Sequence, residues 1–248
     1  NVGVAIAADL SSRGHQVTIV KTSRSNEQIF DKILQNDNKV FLKEDETFTA
    51  GTIHQLTHDI EAVGKSDVII FTIQSTYHED VIKRMSQYLK PSQVVFVVCS
   101  YLSSFYFAKY CKAQPIIAEA TGPYLEGRIE YSKYNEVFFR VGCRLSRSPL
   151  SVFPAYKADE CMSILNRLYI GFSDDYSVLE SALLNPNMVL HTVGAIMSIP
   201  RIEYSKGNFC MYREAYARGN DATLQIMLRL DDEKKMVLKK LGCKPVDI

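Results

Sequence analysis

Asn187 and His191 stand four residues apart, just behind Asn185-Pro186. Asparagine followed by proline is good N-cap and first-turn chemistry, so a helix is expected to start there with Asn187 and His191 on one face. An imidazole that titrates near neutrality can protonate a developing amine or alkoxide and take that proton back in reverse. The amide of Asn187 suits a carboxylate or carbonyl. By type alone, however, His191 is one of five histidines, and a satisfied helix histidine is commoner than a catalytic one. His15 reads as a structural turn residue. His54 and His58 share the four-residue spacing of a metal pair. Only Asp59 and Glu61 lie near them, so one face of a surface helix is expected and no metal site. His78, before Glu79-Asp80, reads as an exposed helix start near a ligand cleft.

A firmer signal opens the chain. Gly3, Ala5, Ala7 and Ala8 make a small-residue helix that ends at Gly14 and feeds the strand Val17–Val20. This is the second half of a dinucleotide-binding βαβ unit. Its G-x-G-x-x-G fingerprint would end at Gly3, which places the first two glycines and the first strand ahead of residue 1. Those glycines let a pyrophosphate approach the N–H groups of the helix N-terminus. An acidic residue at the end of the second strand would take the ribose hydroxyls of NAD. Here the strand runs into Lys21-Thr22-Ser23-Arg24, two cations and two hydroxyls with no carboxylate, a set suited to the 2′-phosphate of NADP. NADP is therefore the expected cofactor, with NAD second.

The elements that must position these residues alternate. Strands are expected at Asp67–Ile73, Gln93–Cys99 and Pro115–Ala118, helices at Glu27–Leu34, His54–Val63, His78–Leu89 and Ser103–Cys111, and a short strand within Lys39–Ala50. Continuous apolar strands without in/out alternation mark a parallel sheet covered on both faces. The fold class is thus α/β, a Rossmann-type doubly wound sheet followed by a mostly helical domain. Gly127–Lys133 and Glu136–Gly142 read as an antiparallel hairpin or sheet extension. Helices are expected at Ala155–Leu168, Ser177–Leu184, Met188–Ile199 and Tyr212–Leu241, the last closed by Gly242 with Pro245 beyond. The domain boundary is expected in 143–155, with Ser146-Arg147-Ser148-Pro149 as linker, giving 1–150 and 151–248 with a cleft between them. Ligands bind outside the carboxyl ends of parallel strands. That rule points Gln74, Ser75, Thr76, Ser100, Tyr101 and Glu119 at the dinucleotide, with Glu119 nearest the nicotinamide. Tyr124 and Arg128 would approach the substrate, Arg128 as a bidentate carboxylate partner.

Composition narrows the class. The chain has 248 residues, 46% of them hydrophobic and 23% charged, which excludes a disordered chain. Lys plus Arg number 29 against 28 Asp plus Glu, so no bulk basic field exists to hold nucleic acid or an anionic membrane. The longest apolar runs, Val68–Ile73 and Val94–Cys99, are far short of the roughly 20 residues of a membrane span. Six cysteines (99, 111, 143, 161, 210, 243) form no CxxC, and are expected to be mostly small buried residues of a reducing cytoplasm. Apolar content suits a monomer or a homodimer equally.

Two further segments, Ile117-Ala118-Glu119-Ala120-Thr121-Gly122-Pro123-Tyr124-Leu125-Glu126-Gly127-Arg128 and Leu183-Leu184-Asn185-Pro186-Asn187-Met188-Val189-Leu190-His191, resemble the octopine/nopaline (opine) dehydrogenase family. That family shows an A-E-T-x-x-x-P-Y-x-x-R-like stretch after the last strand of its first domain and an L-N-N-P-x-x-x-x-H-like helix in its second. Phe209 to Glu214 and Leu230 to Lys234 are similar to its F-x-x-Y-x-E and D-x-E-R patterns. Thr121 lies one position later than the family's threonine, and Lys234 replaces an arginine. The resemblance implies reductive condensation of an α-keto acid with the amino group of an amino acid. It makes His191 the catalytic histidine, its partner carboxylate lying beyond Ile248, and sets Thr121 and Asn187 beside Tyr124 and Arg128 at the substrate. The alternatives are a ketopantoate-reductase-like keto acid reductase and an NADP-binding redox sensor without turnover. Against the first, Leu179–Leu184 lacks the lysine that family uses at the start of its second domain.

Overall fold

A computed structural model describes residues 2–25, 27–131, 137–146, 148–216 and 220–245. The chain divides into two compact units, Asn1–Val178 and Leu179–Ile248.

In the first unit, helix α1 (Val2–Ser12) buries Ala5, Ala7 and Ala8 and closes at Gly14, whose φ of +88° suits only glycine well. Its small residues permit close packing. A Cβ on Gly51 would sit 2.1 Å from the Ala8 carbonyl oxygen, so the chain touches α1 backbone to backbone there. Asp9, almost fully buried in α1, pairs with Arg13 at 2.9 Å and Arg144 at 2.8 Å, and Arg144 also reaches Glu44 at 2.5 Å. Strand β1 (Thr18–Val20) follows, then α2 (Glu27–Gln35), which buries Phe30 and Ile33. Strands β2 (Lys39–Glu44) and β3 (Thr47–Thr52) form a hairpin where one short strand was expected. The expected helix His54–Val63 is instead β4 (Gln55–Thr57), paired parallel with β1, followed by a 3-10 helix Ile60–Lys65 capped by Asp59. Pairing with β1 overrides the weak helical spacing of that segment.

The central sheet holds β5 (Val68–Phe71), β6 (Val94–Val97) and β7 (Ile116–Ala120), mutually parallel. Every residue of β6 and β7 is buried, as expected for strands covered on both faces. Helices α3 (His78–Met85) and α4 (Ser103–Tyr110) cover one face through Val81, Ile82, Met85 and Phe107. The other face packs against Ile6 and Leu10 of α1 and against Cys161 and Leu165 of α5 (Ala158–Leu165). Strands β8 (Leu125–Tyr131) and β9 (Val137–Arg144) are antiparallel, and β9 joins β2, giving a separate sheet of order β3-β2-β9-β8. The ends of the expected hairpin at Ser132, Lys133 and Glu136, like Arg147 of the expected linker, lie outside the described residues.

The boundary near residue 150 requires correction. Ser148–Phe153 is a strand, β10, antiparallel to β7, and Phe172–Asp174 forms β11 beside it, completing the order β11-β10-β7-β6-β5. Ser148, Leu150, Ser151 and Val152 are buried, so the serine-rich spelling that reads as a linker is sheet interior. The division falls after Val178.

The second unit begins within α6 (Val178–Leu183) and continues through a 3-10 turn Pro186–Met188, α7 (Leu190–Met197), α8 (Ile199–Tyr204), α9 (Met211–Glu214) and α10 (Asp221–Lys240). The expected helix Tyr212–Leu241 is thus α9 and α10, with residues 217–219 outside the described set. Its expected C-cap is present: Gly242 has φ +74°, and the Cys243 N–H donates to the Leu238 carbonyl. Val189, Val193 and Met227 form the buried contact between α7 and α10. Among the described residues no helix is long and apolar enough to cross a membrane.

Candidate nucleotide and catalytic site

The carboxyl ends of β1 and β5 converge at α1. A Cβ on Gly3 would lie 2.6 Å from the Thr72 hydroxyl oxygen, just past the end of β5. This is the close helix–strand approach for which the third glycine of a dinucleotide fingerprint is needed. A cavity of about 130 Å³ lies between β1 and β5, lined by Thr18, Val20 and Thr22 on one side and Val68, Phe71 and Thr72 on the other. Gln74, Ser75 and Thr76 are exposed beyond β5, where the carboxyl-end rule puts dinucleotide ligands.

The loop after β1 is folded around Lys21. Its ammonium donates to the Ser23 carbonyl at 2.7 Å, to the Ser25 carbonyl and to Glu27 Oε1 at 3.2 Å. An ammonium has three N–H donors, and all three are thereby committed. Lys21 consequently shapes the loop, and its expected role as a phosphate ligand is corrected. Ser23 Oγ and Ser25 Oγ are 3.0 Å apart, and Arg24 is exposed. Glu27, from the first turn of α2, lies back against this loop. Its Oε2 is 3.3 Å from His58 Nε2, while His58 Nδ1 is 2.9 Å from the Lys21 carbonyl. Burial raises the Glu27 carboxyl, but Lys21, His58 and Arg24 outweigh it and hold it below its ordinary value. His54, by contrast, meets Gln16 at 3.1 Å. The two histidines flank a strand and do not share a helix face. Among the described residues no group of three His, Cys, Asp or Glu is placed to hold a metal.

At the ends of β6 and β7 the expected ligands are interior. Ser100 and Glu119 have 0% exposure. The Glu119 carboxylate accepts the Ser100 hydroxyl at 2.9 Å, the Ser103 N–H at 3.2 Å and the Ser104 N–H at 2.6 Å, so it caps α4 from a distant strand. Leu102, just before α4, has φ +60°, a conformation costly for leucine that this capping holds in place. His78, read as exposed, is buried. Its Nε2–H donates to the Ile73 carbonyl at 2.8 Å, which leaves Nδ1 to accept from the Ser103 hydroxyl at 2.7 Å. Burial pushes its pKa down, only partly offset by the Ile73 carbonyl and Glu119. Glu119 and Ser100 therefore build the floor of the strand ends and do not face a cofactor. Tyr101 is half-buried beside them.

Of the expected substrate residues, Thr121, Tyr124 and Arg128 belong to the first unit and Asn187 and His191 to the second. Tyr124 stacks on Tyr169 with centroids 4.1 Å apart, which makes it part of the packing around β10 and β11. Arg128 is exposed on β8 opposite Arg140. Asn185 caps the 3-10 turn, its side chain accepting the Asn187 N–H at 3.0 Å. Asn187 is exposed in that turn and His191 is half-buried in the first turn of α7, so one continuous α-helix does not carry both. The Tyr216 hydroxyl donates to the Leu190 carbonyl at 2.7 Å, and a Cβ on Gly194 would lie 2.7 Å from that hydroxyl. Gly194 thus gives Tyr216 access to the start of α7 beside His191. On α10, Asp231 and Lys234 are buried and 2.6 Å apart, with Lys235 at 2.8 Å from the same carboxylate. All six cysteines are free thiols. Cys111 and Cys161 are buried but Cys143 and Cys210 are exposed, so the expectation of mostly buried cysteines does not hold.

Residues 175–248 match the family described as NAD/NADP octopine/nopaline dehydrogenase, alpha-helical domain, and residues 1–101 match the NAD-dependent glycerol-3-phosphate dehydrogenase N-terminus. The helical second unit thus matches the octopine/nopaline dehydrogenase family, and the first a nucleotide-binding domain of another NAD-dependent dehydrogenase. Solved structures of similar fold include yersinopine dehydrogenase with NADP+ bound, at 14% identity and a TM-score of 0.76, covering 99% of this chain and 63% of that one. Octopine dehydrogenase with NADH and L-arginine aligns at 15% identity and a TM-score of 0.64, over 85% of this chain and 54% of that one. A PanE/ApbA family ketopantoate reductase from Ralstonia eutropha JMP134 aligns at 16% identity and a TM-score of 0.66, over 99% and 74%. At such identities the likeness is one of fold. The chain spans about half the length of the octopine dehydrogenase. No curated protein matches it.

Sequence reasoning missed Glu27, and it misplaced His58 on a helix face and His78 on the surface. Glu27 carries the one available signal, an acidic residue opening the helix that follows the second nucleotide-binding strand.

Proposed function

We propose that this chain carries the nucleotide-binding and helical parts of an opine-type dehydrogenase, which condenses an α-keto acid with the amino group of an amino acid using NADP(H). The observation that carries the reading is the pairing of an octopine-type helical unit bearing Asn185, Asn187 and His191 with a first unit whose Gly3 closes on Thr72. Octopine dehydrogenase structures hold L-arginine or pyruvate, which supplies the substrate classes.

Gly3 and the N-terminus of α1 suit the pyrophosphate, and the exposed Gln74 and Ser75 suit the nicotinamide half. Arg24 and the Ser23 hydroxyl, with Thr22 beside them, are the groups offered to a 2′-phosphate. The dinucleotide supplies a hydride when bound. Keto acid and amine lose water to form a C=N bond. As hydride adds to the carbon, His191 gives its proton to the nitrogen, leaving a secondary amine and neutral imidazole. On the second unit Asn187 is the group offered to a substrate carboxylate; on the first, Thr121 and Arg128 are offered to one, Arg128 as a two-pronged donor. The partners are thus small molecules, acting in a cytoplasmic protein.

A second reading, simple reduction of a keto acid, draws on the ketopantoate reductase likeness. Against it stands the absence of lysine from Leu179–Leu184. A third, a nucleotide-binding sensor, keeps the fold without turnover. NADPH oxidation by the intact protein separates them. The opine reading expects oxidation that needs pyruvate and an amino acid together, and falls at least about 100-fold in His191→Ala with NADPH binding retained. Oxidation with keto acid alone supports the second reading, and binding without any oxidation supports the third.

A further inference from the structure

The strand end that reads as free of carboxylates is not free of them in space. Glu27 is brought to it from α2, within 3.2 Å of Lys21 and 3.3 Å of His58, and its side chain retains 31% exposure. Each contact has a consequence for charge. Lys21 is the cation nearest the strand, and its donors are consumed by two loop carbonyls and this carboxylate. His58 directs Nδ1 at the Lys21 carbonyl, so that atom must carry a proton. Its Nε2 then carries one only in the imidazolium, which pairs with Glu27. The loop therefore presents Arg24 outward, with a carboxylate behind it that offsets the charge of Lys21.

We propose that Glu27 sets the nucleotide preference of this loop. It weakens the hold on a 2′-phosphate by neutralising Lys21 and by direct repulsion, while leaving a nucleotide with free ribose hydroxyls unaffected or favoured. The inference rests on the reading that the loop receives the adenosine ribose. Arg24 is then the attracting group and Glu27 the opposing one, so the preference for NADPH over NADH is a balance between two residues three positions apart. The conversion of Glu27 to glutamine keeps the acceptor that Lys21 needs and removes only the charge.

The test is titration of the intact protein with NADPH and with NADH, followed by the fluorescence of the reduced nicotinamide, which needs no turnover. Glu27→Gln is expected to tighten NADPH about tenfold with NADH changed by less than about threefold, an effect of the size one nearby charge exerts through partly screened surroundings. Glu27→Asp, which keeps the charge, should hold the wild-type ratio, and Arg24→Met should weaken NADPH about tenfold without touching NADH. An unchanged NADPH to NADH ratio in Glu27→Gln, where Arg24→Met has lowered it, overturns the role of Glu27 and leaves the loop as the phosphate site. Failure of both variants to move the ratio overturns the loop assignment and the inference with it. Wild-type protein that binds neither nucleotide overturns these and the proposed function together.

Discussion

The Glu119 carboxylate, at the end of β7, accepts the Ser104 backbone N–H at 2.6 Å and so seals the N-terminus of a helix that begins 16 residues earlier. The same carboxylate takes the Ser103 N–H and the Ser100 hydroxyl, three charge-assisted bonds in an interior that water does not reach. A side chain spent in this way is unavailable to a cofactor.

Replacing Glu119 by alanine should therefore act on stability before chemistry. It orphans two N–H groups at the start of α4 and leaves a void, at a cost of about 3 kcal/mol. In Tm this is roughly 6–12 °C for a chain of this size. Hydrogen exchange should show Ser103 and Ser104 losing protection first. Unchanged protection across α4 would contradict the capping role.

How much of this was legible follows from the physics of each segment. β5 and β6 are continuous apolar runs, the spelling that a two-sided parallel strand favours, and β7 follows it except at Glu119. Gly3 and the helix it opens follow from the need for close approach at Thr72. Asn185 announced its cap because capping is local. By contrast, Glu119 looked like a ligand because an acid at a strand end is usually there to bind something. Its actual partners lie 15 to 19 positions away and leave no trace in local spacing. β10 was hidden by serines whose burial depends on β7 and β11, and Glu27 by a six-residue separation from Lys21 that only the turn closes.

His78 makes stability depend on pH. Burial depresses its folded pKa below the ordinary 6.5, with the Ile73 carbonyl and Glu119 opposing. The folded state thus binds this proton more weakly than the unfolded one. The contribution of His78 is complete above about pH 7 and is lost as pH falls through 6.5 toward the folded value. The urea midpoint of the wild type should drop across that interval. His78→Gln should start lower at pH 8, and its gap from the wild type should narrow by pH 5. Parallel profiles for the two proteins would contradict this.

Gly3 and Thr72 should behave as a coupled pair. A methyl group on Gly3 meets the Thr72 hydroxyl oxygen at 2.6 Å and shifts either the side chain or the start of α1. Gly3→Ala is expected to weaken NADPH binding by about tenfold, and adding Thr72→Ala, which removes that oxygen, should recover most of the loss. Additive effects in a double-mutant cycle would place the nucleotide away from this contact.

The most direct test of the account supplies the intact protein with NADPH deuterated at the transferred position, pyruvate and a set of amino acids, and weighs the products. The expected species is a secondary amine containing the carbons of both substrates and one deuterium, absent when either substrate is omitted and lost in His191→Ala. Deuterated 2-hydroxy acid with the amino acid untouched would contradict it and assign the chemistry to carbonyl reduction.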